Sequence, residues 1–419
     1  MKKSIKKLFF KSEFNRNVLK LISGSAIANV INFLAIPILC RIYSVEEFGY
    51  FQLLFSMITI LGVISCLKYE MTLTLTQNKK ESDNLFFASV SILIIFSIIL
   101  FFVVKVFGEI TLSFFNANHL NNYIYWICPG VFSLGLYELL NYVFMRKKAF
   151  GKMAKFRFVQ VLLIQLTAIA FGIITSGFEK LLFSFILGNL IVSTFMIFKS
   201  DIQFQNFDLN LIIKLLNKFK KFPIVNMPMA LLNTFSMQLP VFILSTYFNA
   251  EVIGFYMMAN RILTTPMQLI SRSVGRVYYK EASDAFSGSK EKLKTIFKNT
   301  VSKIAKIGLL PVLVIIPFAP ILTKLLLGNQ WEMTGIFMQI MMPWIYFQFI
   351  NLPVSTTFSI INRQEIGLIL IIISIILRYT AMVTWSETPI QQITVLTIVA
   401  SLFYITYIYS SFILLREKI

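Results

Sequence analysis

The 419-residue chain is 57% hydrophobic and only 14% charged, with a mean hydropathy of +0.75, which excludes an ordinary soluble globule. Its 39 Lys and Arg against 19 Asp and Glu leave a net charge of +20, but in a chain this apolar the placement of the charge speaks of membrane topology rather than of nucleic acid. Cys40, Cys66 and Cys128 lie in or beside apolar runs and imply no disulfide framework; the single histidine, His119, has no neighbours for a metal site and reads as a loop residue.

Lys2, Lys3, Lys6, Lys7, Lys11, Arg16 and Lys20 surround Leu8, Phe9, Phe10 and Phe14, the pattern of a basic amphipathic helix lying on anionic phospholipid. A full-length apolar run follows with no small-residue cleavage site between, which argues against a cleaved signal peptide. Twelve apolar runs can be drawn, at 18–40, 48–70, 85–107, 122–145, 156–175, 181–198, 222–248, 252–275, 303–323, 333–361, 366–385 and 390–414. Each has about the 20 residues that a helix needs to cross a ~30 Å hydrocarbon core, so the fold class is an all-α polytopic membrane protein.

With a cytoplasmic N-terminus, Lys and Arg crowd the inner segments to Lys20 and at 68–80, 146–157, 199–221 and 272–306, with Arg363, Arg416 and Lys418 also inside. The outer loops keep only Arg41, Lys105, Lys180 and Lys324. The positive-inside rule therefore places both termini in the cytoplasm. The longest outer loop, near 106–121, leaves little room for an outer catalytic domain.

The stretch PILCRIYSVEEFGYF at 37–51 returns in degenerate form as PVFILSTYFNAEVIGFY at 240–256. In each copy an apolar helix ends, a polar turn follows, and a second helix carries a glycine in its opening turns. Ser44 and Glu47 have capping-box spacing, and Asn249 is a good N-cap in the second copy. This repeat divides the chain into six-span halves, 1–198 and 222–419. The connector at 199–221 sets Leu211, Ile212, Leu215, Leu216 and Phe219 against Lys214, Lys218, Lys220 and Lys221, which suits a helix in the headgroups. All prolines except Pro37 and Pro129 fall at or after Pro223, so the second half is expected to hold the more strongly broken helices, with a gate in span seven near Pro240.

Charges within spans are default site candidates, because their burial is costly. Arg261 lies about 14 Å down span eight at 1.5 Å per residue, near the midplane, and is read as a site in preference to a structural ion pair. Arg378 is similarly deep in span eleven and Glu138 in span four. Glu138 is either the partner of one of those arginines or a protonatable group that couples transport to a gradient of H⁺ or Na⁺. Lys68 and Glu70 close span two as either an interfacial anchor or a cavity mouth, on a helix expected to continue toward Thr76. Amide stripes complete the set: Ser25, Asn29 and Asn32 in span one, Asn226 and Asn233 in span seven, as helix glue or path lining. There is no Ser/His/Asp set, no flanked acid pair and no phosphate-binding Gly-rich loop, so neither an enzyme nor a built-in ATPase is indicated.

At Ser23–Ile27, at Pro37–Gly49 and at Lys68-Tyr69-Glu70 the chain resembles the bacterial O-antigen and capsule oligosaccharide flippases (Wzx type) of the multidrug/oligosaccharidyl-lipid/polysaccharide (MOP) exporter superfamily. The resemblance implies a V-shaped pair of six-helix lobes working by alternating access in the bacterial cytoplasmic membrane. The implied cargo is an undecaprenyl-diphosphate-linked repeat unit, with a polysaccharide polymerase and other assembly proteins as partners and no cofactor beyond a coupling ion. Family members are thought to line the cavity with cations, and Arg261, Arg378 and Lys68 match; Arg41 would be a rim anchor or gate. No Asp lies in any span, which leaves Glu138 and Glu70 to bind a coupling ion. A multidrug extruder of the same superfamily is the nearest rival and should favour acidic and aromatic lining. A glycan polymerase or ligase would need a large outer loop, and a major-facilitator transporter a basic, glycine-bearing loop absent at 77–84.

Overall fold

A computed structural model describes residues 26–76, 78–203, 205, 207–286, 290–361 and 363–415. The basic segment to Lys20, Ser25, Arg416 and Lys418 lie outside these residues. The described chain is almost wholly helical, with no strand among the described residues. In order it forms α1 (Ala26–Ile42), α2 (Val45–Ile64), a 3₁₀ segment (Tyr69–Leu75), α3 (Lys79–Phe114), α4 (Ile127–Arg146), α5 (Phe150–Ile174), α6 (Phe178–Phe198) and a short α7 (Leu209–Lys218). There follow α8 (Met227–Tyr247), α9 (Ala250–Phe286), α10 (Lys290–Leu327), α11 (Glu332–Val354), α12 (Thr357–Ile360), α13 (Gln364–Thr384) and α14 (Pro389–Leu414).

Where described, the twelve apolar runs are mainly helical, and among the described residues ten helices are long and apolar enough to cross a membrane. The two others are α1, described over Ala26–Ile42, and α9, which carries Arg261, Arg272 and Arg276. The long α3 shows what organises them. Leu93, Leu100, Val104, Gly108 and Leu112 repeat at helical spacing and are buried, while Ile95, Ile98, Ile99, Phe102 and Ile110 remain exposed. An apolar face turned outward belongs to a helix solvated by lipid on one side and by protein on the other.

The repeated hairpin is built as its residues require. Ser44 Oγ accepts from the Glu47 backbone N–H at 3.2 Å, and Glu47 Oε2 accepts from the Ser44 N–H at 2.6 Å. This capping box starts α2 and contributes about 1 kcal/mol. Tyr43 donates its buried hydroxyl to Ala168 O at 2.7 Å, pinning the corner to α5. In the second copy, Asn249 Oδ1 accepts from Val252 N–H at 3.3 Å and caps α9.

The helices cluster into two compact units, Met1–Thr246 and Tyr247–Ile419. By contacts α8 belongs with the first unit; the six-and-six division at 199–221 is a statement about the sequence repeat. Within the first unit, α7 does not simply lie in headgroups. Its apolar face, Ile212 and Leu215, is buried in a core with Leu85, Phe86, Leu140 and Phe144, while Lys214 and Lys218 remain exposed. Asp208 caps α7 by accepting from Leu211 N–H at 3.2 Å and pairs with Lys80 at 3.2 Å. That N–H and then Lys80 hold the Asp208 carboxyl below the usual carboxylate range.

In the second unit, α10 and α11 pack so closely that a Cβ on Gly335 would overlap the backbone of Ala319 and Pro320. Backbone atoms cannot swing aside. Gly335→Ala is therefore expected to cost about 1–3 kcal/mol by overpacking, seen as a lower midpoint in thermal unfolding of the detergent-solubilised protein; an unchanged midpoint would contradict this packing. The prolines break less than expected. Pro240, Pro266, Pro311, Pro317, Pro320, Pro343 and Pro353 all lie within continuous helices, and only at Pro223 does the winding change, to the π turn Phe222–Asn226 ahead of α8.

Candidate functional site

The site with the densest charge begins where α2 stops. The expectation of a helix continuing from span two toward Thr76 is corrected: α2 ends at Ile64, and Leu67 (φ 50°) and Lys68 (φ 64°) are both left-handed. Two non-glycine residues in that region cost roughly 1–2 kcal/mol each, so tertiary contacts must hold them. Tyr69 donates its hydroxyl to Leu216 O of α7 at 3.1 Å, Thr76 Oγ1 accepts from Arg146 Nε at 2.9 Å, and Leu73 is fully buried. The turn folds Lys68 back onto Glu70, with Nζ 3.3 Å from Oε1 and side-chain exposures of 15% and 7%. Lys68 is thus the countercharge of a buried carboxylate and not a snorkelling anchor.

Across from this turn, α4 presents Gly135, Glu138 and Tyr142 on one face, at i, i+3 and i+7. They enclose a cavity of ≈ 230 Å³ with Thr59, Gly62, Ser65, Lys68 and Glu70. Gly135 permits the approach, since a Cβ there would stand 2.5 Å from Ser65 Oγ and 2.7 Å from Leu93 Cδ1. Glu138 is exposed toward this space and lies within electrostatic reach of Arg157, Lys68 and Glu70. Its cationic neighbours are therefore Arg157 and Lys68, whereas the expected partners Arg261 and Arg378 belong to the other unit.

Arg157 is the residue that sequence reasoning missed, because it was counted with the inner loop at 146–157. The helix α5 starts earlier, at Phe150. Arg157 donates to Gln160 Oε1 at 2.6 Å, Gln160 Nε2 donates to Asn189 Oδ1 at 2.5 Å, and Asn189 Nδ2 donates to Phe185 O at 2.8 Å. The signal was the i, i+3 pair of Arg157 and Gln160 entering an apolar run. Both carboxylates thus lie within reach of the Lys68 ammonium, Glu138 also of the Arg157 guanidinium, and Glu70 Oε2 is buried without a hydrogen-bond partner. Such a cluster can exchange a proton or a small cation against Lys68. Its volume lies below the ~300–1,000 Å³ of ordinary ligand pockets, so it fits ions and water rather than a saccharide.

The other expected site residues are dispersed. Asn32 Oδ1 accepts from Gln165 Nε2 at 2.6 Å, which ties α1 to α5. Asn29 is half-buried on α1, Asn226 half-buried in the π turn and Asn233 exposed on α8. Gln238 Oε1 accepts from Ser56 Oγ at 3.0 Å and joins α8 to α2. Arg41 is exposed in the last turn of α1, where a cation complements the helix dipole, and Pro240 is buried within α8. Arg261 is half-buried on α9. Arg378 is only 7% exposed and packs against Trp344 and Phe403. His119 packs at a tilt against Tyr50 with ring centroids 4.3 Å apart, and no group of three His, Cys, Asp or Glu among the described residues could hold a metal.

Residues 38–335 match the family described as polysaccharide biosynthesis protein. The chain belongs to that family. A search of curated proteins finds no match to the sequence. Among solved structures, an inward-facing multidrug resistance MATE transporter of the MOP superfamily superposes with a TM-score of 0.72 at 15% identity, covering 93% of this chain and 94% of its own. The lipid II flippase MurJ, in an inward closed conformation, gives 0.71 at 14% identity, covering 94% and 89%. A MOP superfamily transporter from Pyrococcus furiosus gives 0.59 at 14%, covering 97% and 98%. This member of the polysaccharide biosynthesis family thus has the fold of the MATE transporter and of the MurJ flippase, in a multi-pass membrane protein.

Proposed function

We propose that this chain is a flippase which carries undecaprenyl-diphosphate-linked oligosaccharide repeat units, the precursors of O-antigen or capsule, from the cytoplasmic to the outer leaflet of a bacterial cytoplasmic membrane. The observation that carries the reading is the family match over residues 38–335 on a fold shared with a lipid II flippase. A diphosphate head is a concentrated anion, and its passage through a low-dielectric layer needs charge-assisted, bidentate hydrogen bonds in place of lost hydration. Arg261, half-buried at mid-span on α9, is the cargo-binding cation. Glu138 and Glu70, with Lys68 and Arg157, form the station where H⁺ or Na⁺ couples to transport. The basic N-terminal segment engages anionic phospholipid, and a polymerase and other assembly proteins receive the product.

Arg261→Ala is expected to abolish surface polysaccharide in a strain that depends on this chain, while membrane expression is unchanged; normal polysaccharide in that variant would refute the assigned role. A multidrug extruder shares the fold. It would reveal itself by exporting cationic dyes while polysaccharide assembly proceeds without it.

A further inference from the structure

In the second unit a cation is buried without a neutralising carboxylate among the described residues. Arg378 lies in mid α13, 7% exposed, its guanidinium carbon 5.8 Å from the Trp344 ring of α11 and 5.5 Å from the Phe403 ring of α14. Each ring face contributes roughly 0.5–2 kcal/mol, whereas burying an ion costs several kcal/mol, so the rings offset only part of that cost. Arg378 forms no ion pair and no hydrogen bond with a described residue, and its buried Nε–H is without an acceptor.

The groups around it are donors. Trp344 Nε1–H is buried without an acceptor, and so is Ser374 Oγ, one turn before Arg378 on the same face of α13. Tyr256 of α9 lies within electrostatic reach of Arg378 and of Tyr404. Tyr404 already accepts from Gln348 Nε2 at 3.1 Å, which leaves its own O–H proton to give. A guanidinium ringed by N–H and O–H donors with no carboxylate among them is the chemistry that selects an anion.

We propose that Arg378, with Trp344, Ser374 and Tyr256, holds a small monovalent anion of the halide class inside the second unit. The charge matches as well: one guanidinium between the rings of Trp344 and Phe403, with no described carboxylate beside it, balances one negative charge. The bound anion would fix α13 against α11 and α14. This inference is independent of the cargo reading.

The test uses the purified full chain in detergent, with thermal unfolding followed at constant ionic strength as gluconate is replaced by chloride and then by bromide. The midpoint is expected to rise saturably by roughly 2–4 °C, as a site binding only the folded state requires. Arg378→Gln should abolish the rise. Trp344→Phe, which keeps a ring and removes one donor, should raise the chloride needed for half the effect several-fold. Equilibrium binding of radiolabelled chloride to the wild-type chain covers the case in which Arg378→Gln does not fold: saturable binding is expected, and its absence overturns the proposal. A flat wild-type response, or an Arg378→Gln response equal to wild type, also overturns it. So does stabilisation by inorganic diphosphate but not by chloride, which would make Arg378 a cargo subsite.

Discussion

Replacing Lys68 by Met is expected to destabilise the protein by about 3–5 kcal/mol, because it strands the Glu70 carboxylate as an uncompensated buried charge. Glu70 is 5% exposed, its Oε1 faces Lys68 at 3.3 Å, and its Oε2 has no hydrogen-bond partner. Protonation or inflow of water would moderate the loss, but the turn at Leu67 and Lys68 is already held in costly left-handed geometry. Removing both charges together, as Lys68→Met with Glu70→Leu, should recover most of the stability, since an apolar pair of similar volume is often neutral or better in such a position. Transport separates the two roles of the pair. If the pair takes part in coupling, the double variant folds and does not transport; wild-type transport in the double variant would assign the pair to structure alone. Thermal unfolding and a flipping assay on the same preparations give both answers.

Glu138→Gln should leave the fold intact and reduce transport by roughly ten- to a hundredfold. The residue is exposed toward the cavity and makes no ion pair within 4.0 Å among the described residues, so its loss breaks no packed contact. A hydrogen bond to a charged group is worth about 1.5–3 kcal/mol, and each 1.36 kcal/mol in a barrier is tenfold in rate. Gln keeps the shape and gives up the proton and the charge. Glu138→Asp, which retains both, should keep part of the activity. Equal rates for Glu138→Gln and wild type across a pH gradient would remove Glu138 from the coupling station.

The parts of the molecule that depend on local chemistry were legible in the sequence. Most of the described apolar runs became helices because period and length suffice, and the Ser44 to Glu47 cap formed because both partners lie within one turn. Properties set by neighbours were not legible. A left-handed Lys68 is favoured by nothing in its own sequence; it is held by Tyr69 reaching Leu216, 147 residues away. Counting residues along a helix gives the depth of Arg378 but not the rotation that sets its guanidinium between Trp344 and Phe403. Arg157 was hidden by a boundary error of two turns at the start of α5. The apolar stripe of α7 could be read, yet not whether lipid or the protein core would cover it; Ile212 and Leu215 chose the core.

The proposed cargo is an anionic, lipid-linked oligosaccharide moved across a bilayer. The most direct test is reconstitution into sealed liposomes that carry an undecaprenyl-diphosphate-linked oligosaccharide. An impermeant glycan-modifying reagent then follows inner-to-outer exposure. The account predicts time-dependent exposure of the inner pool with the wild-type chain, strongly slowed by Arg261→Ala and by Glu138→Gln. Exposure no faster than in protein-free liposomes, together with export of a cationic dye by the same vesicles, would contradict it.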